Sequence, residues 1–200
     1  MAVDRKVYSG FTDDTAQNLL LDSGAFLKNF DPSKDTFDDA VAAGKLLGAT
    51  RGGGKFIAKP KIRAIAVDGV KGKAKGLQVI DEWEVSIESN VLEVTKHSLS
   101  TALTASTVDT DSDTKYDIIN AKNYIELNDY IDNITFVGKL SKGGLPIVIQ
   151  IFNALNMEGL TLQTKDKDEA IIAMKFEGTY DQKNLDTPPF KIWYPKEKTV

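Results

Sequence analysis

The chain has 200 residues, a formal net charge of −4 and a hydrophobic content of 42%. This length and composition fit one globular domain, 1–200, and argue against global disorder. The chain contains no cysteine, which excludes disulfide frameworks, thiolate zinc sites and cysteine nucleophiles. It shows no apolar run typical of a membrane span or a signal peptide. We therefore expect a subunit that is made in a cytoplasm and does not insert into a membrane.

The first 44 residues pass from a polar arm to short apolar runs. Residues 1–17 are polar without a clear period, which predicts an N-terminal arm. In 18–30, two apolar runs flank Asp22-Ser23-Gly24, a combination typical of a hairpin turn. Residues 31–44 contain a proline and several acidic side chains, so they predict a loop with at most a short helix.

The largest unit that the pattern predicts is a hairpin in residues 46–89. A glycine-rich basic stretch leads into a strand over 55–67, and a second glycine- and lysine-rich loop leads into a strand over 77–89. Such a hairpin is larger than a small β-sandwich needs. Its second strand alternates, with one face formed by Leu77, Val79, Trp83, Val85 and Ile87 and the other carrying Glu82, Glu84 and Glu88.

One helix and several further strands are predicted downstream. Thr95 is a suitable cap for a helix over 95–105, in which Leu99, Ala102 and Leu103 share one face. The remaining strand-like runs are 116–120, 123–127, 129–140, 145–154, 159–164 and 169–178. Residues 181–200 predict an extended C-terminal arm. The sum favours a mainly β, antiparallel sandwich or barrel core over 18–180, with one flanking α-helix, a long loop and two arms.

Several patterns that resemble catalytic or ligand-binding motifs lack residues that those motifs require. Gly54-Lys55 lacks the earlier glycine and the following Ser or Thr of a phosphate-binding loop. The acidic run at 109–113 lacks the later ligands of a calcium loop, and His97, the only histidine, has no recognisable catalytic partner. Glutamates on one strand face do not straddle a glycosidic bond. We therefore expect no catalytic residue, no cofactor and no metal, and predict that the protein is not an enzyme.

Basic residues surround both glycine-rich segments of the predicted hairpin. They are Arg51, Lys55, Lys59, Lys61, Arg63, Lys71, Lys73 and Lys75. They could contact nucleic-acid phosphates, but no aromatic residues interleave with them as a single-strand stacking platform requires. A basic segment and an acidic face on one chain also suit self-association, with opposite charges meeting between subunits.

Several stretches, taken in order, resemble the major tail tube proteins of long, non-contractile-tailed (siphovirus-type) bacteriophages of Gram-positive hosts. They are LLLDSGAFLKNF, KLLGATRGGGKFIAKPKIRAIAVDG, VKGKAKGLQVIDEWEVSIESN, NYIELNDYIDNITFVGKLSKGGLPIVIQIFNAL and PPFKIWYPK. The resemblance implies a structural subunit that forms hexameric rings stacked around a tape-measure protein. The tube would pass double-stranded DNA transiently and without sequence preference. The implied partners include tail terminator and baseplate or distal tail proteins, and the implied location is the virion tail, after assembly in the host cytoplasm.

Three groups of residues fit roles that the resemblance implies. A ring-stacking loop would contain Gly48, Arg51, Gly52, Gly53, Gly54, Lys55 and Lys59. The acidic face of Glu82, Glu84 and Glu88 would line the channel, where negative charge repels phosphates. The C-terminal arm would dock through Phe190, Trp193 and Tyr194, as a segment that orders on a neighbour. The alternatives are a carbohydrate- or receptor-binding β-sandwich module and a secretion-system tube protein of the same architecture.

Overall fold

The computed structural model describes residues 9–196 and shows a mainly β, antiparallel fold with two α-helices, where the sequence predicted one. The strands are β1 (Leu20–Lys28), β2 (Thr50–Ala64), β3 (Gln78–Val91), β4 (Ser106–Asp109), β5 (Ile118–Ala121), β6 (Ile131–Leu140), β7 (Ile147–Asn156), β8 (Leu162–Lys165), β9 (Asp168–Gly178) and β10 (Phe190–Trp193). The helices are α1 (Phe37–Ala42) and α2 (Lys96–Ala102), and single 3₁₀ turns lie at Thr15–Gln17 and Leu127–Asp129. No helix in this described part is long and apolar enough to cross a membrane.

Eight strands form one sheet, in which β7 is central. The order is β1-β6-β7-β9-β3-β2, with β10 paired to β7 and β8 paired to β9. One edge of β7 pairs with β6, whereas the other edge pairs first with β10 and then with β9. The sheet therefore divides at β7 into two layers. Strands β4 and β5 form a separate ribbon.

The segment 45–50 closes the sheet at one end. On one side it bonds to β1, because Leu47 N–H donates to the Phe26 carbonyl over 2.9 Å. On the other side it bonds to the end of β3, because Leu92 N–H donates to the Ala49 carbonyl over 2.8 Å. The two layers are thereby joined into a barrel-like sandwich.

The main core lies between the two layers and beneath α2. Its fully buried members come from β1, β3, β6, β7 and β9 and include Phe26, Ile87, Ile134, Ile151, Ile172, Met174 and Phe176. Ala102 of α2 is also fully buried in this cluster. The cap predicted for this helix is confirmed, since the Thr95 side chain accepts from Ser98 N–H and the Ser98 side chain accepts from Thr95 N–H. The helix ends at Ala102, three residues before its predicted end.

A second, smaller core lies under α1. It contains Leu27, Phe30, Ala40, Val137 and Val148. Leu27 follows Phe26 in β1, so the two side chains point to opposite faces of the sheet. Helix α1 therefore covers the outer face of β1, β6 and β7. Residues 31–44, predicted as a loop with at most a short helix, thus contain a helix with a packing role.

The hairpin turn predicted at Asp22-Ser23-Gly24 is wrong. Both halves of 20–28 pair with β6, and the three turn-like residues form a bulge in one continuous strand. Asp22 and Gly24 have φ values of 62° and 65°, so turn chemistry here accommodates extra residues instead of reversing the chain. A Cβ on Gly24 would lie 2.3 Å from a ring carbon of Phe136, which explains the absence of a side chain.

Two other local predictions also differ from the structure. Residues 123–127 form no strand, and a 3₁₀ turn begins at Leu127. Strand β10 lies within the predicted C-terminal arm. Strand β4 lies in the stretch between the predicted helix and the next predicted strand. Pro60 lies within β2, which is possible because β2 is at the edge of the sheet.

Acid sensitivity is expected from the turn between β1 and α1. The Asp31 carboxylate accepts from the Ser33 hydroxyl (2.6 Å) and from Ser33 N–H (2.9 Å), and it pairs with Lys34 at 3.0 Å. These partners, Ser33 foremost, lower the pKa of Asp31 from 3.8 to about 2. A carboxyl whose pKa is lower in the folded state stabilises that state above its unfolded pKa and loses this contribution as the pH falls.

We therefore expect Asp31→Asn to flatten the fall in the free energy of unfolding between about pH 4 and pH 2. Urea midpoints measured across this range test the change. Asp132→Asn, at an exposed position of β6, is the control and should keep the wild-type slope. An unchanged slope in Asp31→Asn would contradict the assignment.

Candidate functional site: the β2–β3 hairpin

The β2–β3 hairpin is long because half of it extends beyond the rest of the sheet. β3 pairs with β9 only over Ser86–Val91, whereas its pairing with β2 continues to Gln78. The outer edge of β2 has no strand partner within residues 9–196. The large hairpin predicted within 46–89 is therefore present, and its outer half projects from the core.

The base of the projecting half is held by aromatic contacts. Phe190 of β10 packs against Trp83 and Phe56, with ring centroids 5.3 and 6.0 Å apart. The Trp83 N–H donates to the Tyr180 hydroxyl over 2.8 Å. These contacts fix the hairpin where β9 turns away from β3, so the projecting half leaves the core at a defined angle.

The register of the hairpin sets its lysines opposite its glutamates. Lys55 faces Glu88, and the two side chains form an ion pair at 3.9 Å. Lys61 faces Glu82 and donates to it over 2.7 Å. Lys59 lies directly opposite Glu84. The acidic row and part of the basic set, which the sequence presents as separate features, are therefore cross-strand neighbours.

A bulge at Asp81 extends this pairing toward the tip. Lys61 is opposite Glu82 and Ile62 is opposite Ile80, so Asp81 is the extra residue. Its carboxylate binds the Arg63 guanidinium at 3.1 Å. We call this surface the charged face; it consists of Lys55, Lys59, Lys61, Arg63, Asp81, Glu82, Glu84 and Glu88.

The charged face carries four cations and four carboxylates, so its formal charge is zero. The three predicted glutamates do share one face, but that face is not acidic, because β2 supplies a cation for each acid. The hydrogen bond that Lys61 donates to Glu82 is the main reason that the pKa of Lys61 is raised, with smaller contributions from the charges of Glu82, Glu84 and Asp81. The lysine thus stays charged and paired at neutral pH.

The opposite face of the hairpin is mainly apolar. Near the core it contains Phe56 and Ile87, of which Ile87 is fully buried. Farther out, Ile62 and Ile80 face each other but are 54% and 52% exposed. The connecting loop adds exposed β-branched residues. We call the exposed set the apolar tip; it consists of Ile62, Ile65, Val67, Val70 and Ile80.

The sequence analysis did not predict the apolar tip, because a bulge shifts the alternation of side chains in β3. Strict alternation of residues would place Ile80 on the same face as Glu82 and Glu84. The extra residue at Asp81 moves Ile80 to the side of Trp83. The sequence did contain one indication of the bulge, because the acidic Asp81 interrupts the alternating apolar series of Val79, Trp83 and Val85.

The residues assigned to a ring-stacking loop, Gly48, Arg51 to Lys55 and Lys59, do not form a loop, because all of them except Gly48 belong to β2. Residues 51–53 form a bulge, in which Gly52 and Gly53 have φ values of 81° and 71°. Arg51 pairs with Asp168 at 2.7 Å and with Glu169 at 3.0 Å, which ties the bulge to the β8–β9 turn. Gly54 and Lys55 continue the ladder with β3. The connection without strand structure is 65–77 instead.

The predicted C-terminal anchors dock on their own chain. Phe190 lies against the hairpin, as described above, and Trp193 Nε1–H donates to Gln150 Oε1 over 2.8 Å. The Lys142 ammonium lies 5.0 Å from the centre of the Tyr194 ring. Residues 190–193 are thus a strand of the sheet and need no neighbouring subunit to order them. Of the predicted arms, residues 1–8 and 197–200 lie outside the described residues.

The other polar candidates from the sequence lie away from the hairpin. Asp109 accepts from the N–H groups of Asp111 and Ser112, both at 3.0 Å, so its carboxylate organises its own loop. Across residues 9–196 no group of three or more His, Asp or Glu side chains is arranged to hold a metal. The chain matches no protein-family model and no curated protein.

Proposed function

We propose that this protein is a tail tube subunit that assembles with copies of itself into stacked hexameric rings. The projecting hairpin carries this proposal, because it combines an apolar tip with the unpaired edge of β2. Exposed apolar clusters and long free strand edges mark interaction surfaces. A second copy of the chain would cover both. The hexamer and the phage-type tube follow the resemblance of the sequence stretches to major tail tube proteins.

In this proposal the ring-stacking element is the 65–77 loop with the apolar tip, and not the glycine-rich stretch of β2. The tip provides apolar surface for burial in the next ring. Lys71, Lys73 and Lys75 add positive charge beside it, which suits an acidic surface on the neighbour. The bonds of residues 50–59 within the sheet leave them less free to bridge rings than the 65–77 loop is.

The charged face is the surface that we place toward the channel. Affinity for DNA comes largely from cations that neutralise phosphates and release counterions. A lysine already paired with a glutamate gains less from a phosphate than a free one. A channel wall whose lysines are paired with glutamates would bind DNA weakly and let it pass. The sequence analysis had instead predicted an acidic wall that repels the DNA phosphates. A tape-measure protein inside, and tail terminator and baseplate or distal tail proteins at the ends, complete the proposed virion tail.

The first test is the assembly state of the wild-type protein. We expect rings or tubes in negative-stain images at high protein concentration, with or without a tape-measure partner. A strictly monomeric protein under both conditions would overturn the proposal. A monomer that binds sugars on a glycan array would favour the carbohydrate-binding module instead.

The tip itself is tested with the double variant Ile62→Asp/Ile80→Asp. Charge on the tip should prevent its burial in the next ring, so we expect single rings that no longer stack into tubes, by sedimentation velocity and negative-stain imaging, with a near-wild-type urea midpoint. Val108→Asp on β4, another partly exposed β-branched position, is the matched control and should still assemble. Normal tubes from the double variant would show that the tip does not join subunits.

A further inference from the structure

A half-buried lysine without an acidic partner lies at the end of the sheet away from the hairpin tip. Lys28 is the last residue of β1, and its ammonium lies 3.5 Å from Nδ1 of His97 in α2. No carboxylate of residues 9–196 forms an ion pair with it. Burial lowers the pKa of Lys28 because the charged form is desolvated. A bound anion would offset that cost.

Lys28 and His97 border a polar cleft of about 270 Å³. The hydroxyl residues that line it are Ser100, Thr101, Thr104, Ser106 and Tyr130. The Thr104 hydroxyl donates to the Asn156 carbonyl and the Ser106 hydroxyl donates to the Ser100 carbonyl. A water molecule occupies about 30 Å³ in the liquid, so the cleft has room for an ion of several heavy atoms. The lining thus combines one cation with the Thr101 hydroxyl as a hydrogen-bond donor.

The one carboxylate that lines the cleft is already compensated. Asp129 binds the Lys122 ammonium at 2.6 Å and accepts from Glu126 N–H over 2.7 Å. The Lys122 hydrogen bond is the main reason that the pKa of Asp129 is lowered. The positive charge of Lys28 is therefore the uncompensated charge of this cleft.

His97 adds a polar group that lacks a partner. Its Nε2 is buried and makes no hydrogen bond to any described residue. Burial, and then the charge of Lys28, lowers the pKa of His97, so the ring is neutral at pH 7. If the Lys28 ammonium donates to Nδ1, the ring proton is on Nε2.

We propose that this cleft binds a small oxyanion of the phosphate or carboxylate class, held by the Lys28 ammonium and by the Thr101 hydroxyl. Charge-assisted hydrogen bonds from the ammonium provide most of the affinity. The bound anion also compensates the charge beside His97, which makes the imidazolium less unfavourable. The site is independent of the proposed tube function.

His97 is the reporter, because a single histidine gives one assignable imidazole signal in NMR spectra. We expect inorganic phosphate to move this signal saturably and to raise the pKa of His97, whereas sodium chloride at equal ionic strength does neither. Lys28, Asp129 and Tyr130 are the titratable groups around the cleft, with Lys122 behind Asp129. Acetate in a parallel titration distinguishes a carboxylate site from a phosphate site.

Lys28→Met should weaken the phosphate response about tenfold or more, and its His97 pKa should rise in the absence of phosphate. Lys139→Met, at an exposed position of β6, is the control and should respond as wild type. Lys28→Gln is the second variant if Lys28→Met fails to fold. A wild-type response that does not saturate, or an undiminished response in either folded Lys28 variant, overturns the proposal.

Discussion

Gly54→Ala is expected to lower the free energy of unfolding by about 3 kcal/mol. A Cβ at this position would lie 2.1 Å from a ring carbon of Phe26 and 2.5 Å from the carbonyl oxygen of Glu88. Phe26 is buried against Phe136, with ring centroids 5.4 Å apart, so its ring has little room to move. The Glu88 carbonyl belongs to the backbone of β3 and moves only with that strand.

The matched control is Gly52→Ala, two residues earlier in β2. Nothing lies within 4 Å of a Cβ at Gly52, but its φ of 81° is unfavourable for alanine. We expect a loss of about 1 kcal/mol from backbone strain alone. Chemical denaturation of the two variants compares the loss of stability caused by steric overlap at position 54 with the loss caused by backbone strain at position 52. Equal losses at both positions would show that Gly54 is retained for its backbone and not for the contact with Phe26.

Gln150→Leu is expected to lower the free energy of unfolding by about 2 kcal/mol. Gln150 is 2% exposed, and its Nε2 donates to the Phe30 carbonyl (2.8 Å) and to the Thr135 hydroxyl (3.0 Å). Its Oε1 accepts from the Trp193 indole. Leucine has a similar size but leaves these groups without partners, and an unsatisfied buried polar group costs more than its hydrogen bond contributes.

The network is tested by a double-mutant cycle with Trp193→Phe. This change removes the indole donor and part of the ring but keeps an aromatic side chain, and we expect a loss of about 1 kcal/mol from the hydrogen bond. The combined variant should lose less than the sum, because both single changes break the same hydrogen bond. Gln17→Leu, at an exposed position before β1, is the control for the substitution itself. Additive losses would mean that β10 is held by its ladder with β7 and not by Gln150.

The sequence by itself determined the features that depend on neighbouring residues. The alternation around Trp83 predicted one face of β3, because successive side chains of a strand point to opposite sides. The cap at Thr95 was predicted because a hydroxyl and a backbone N–H three residues apart interact locally. The mainly β, antiparallel class followed from many such runs without intervening helices.

Only the tertiary structure decided which strands meet and in what register. The compensation of Glu82, Glu84 and Glu88 by lysines depends on a pairing across more than 20 residues and on a bulge at Asp81. One residue more or less in that ladder reverses the side on which Ile80 lies. Residues 22–24 and 51–53 have turn-forming composition, which predicted a chain reversal and a loop. In the fold both segments are bulges, because each lies in a strand whose partner is distant in the chain. Long-range pairing thus places a charge-neutral face on one side of the hairpin and the exposed Ile62 and Ile80 on the other.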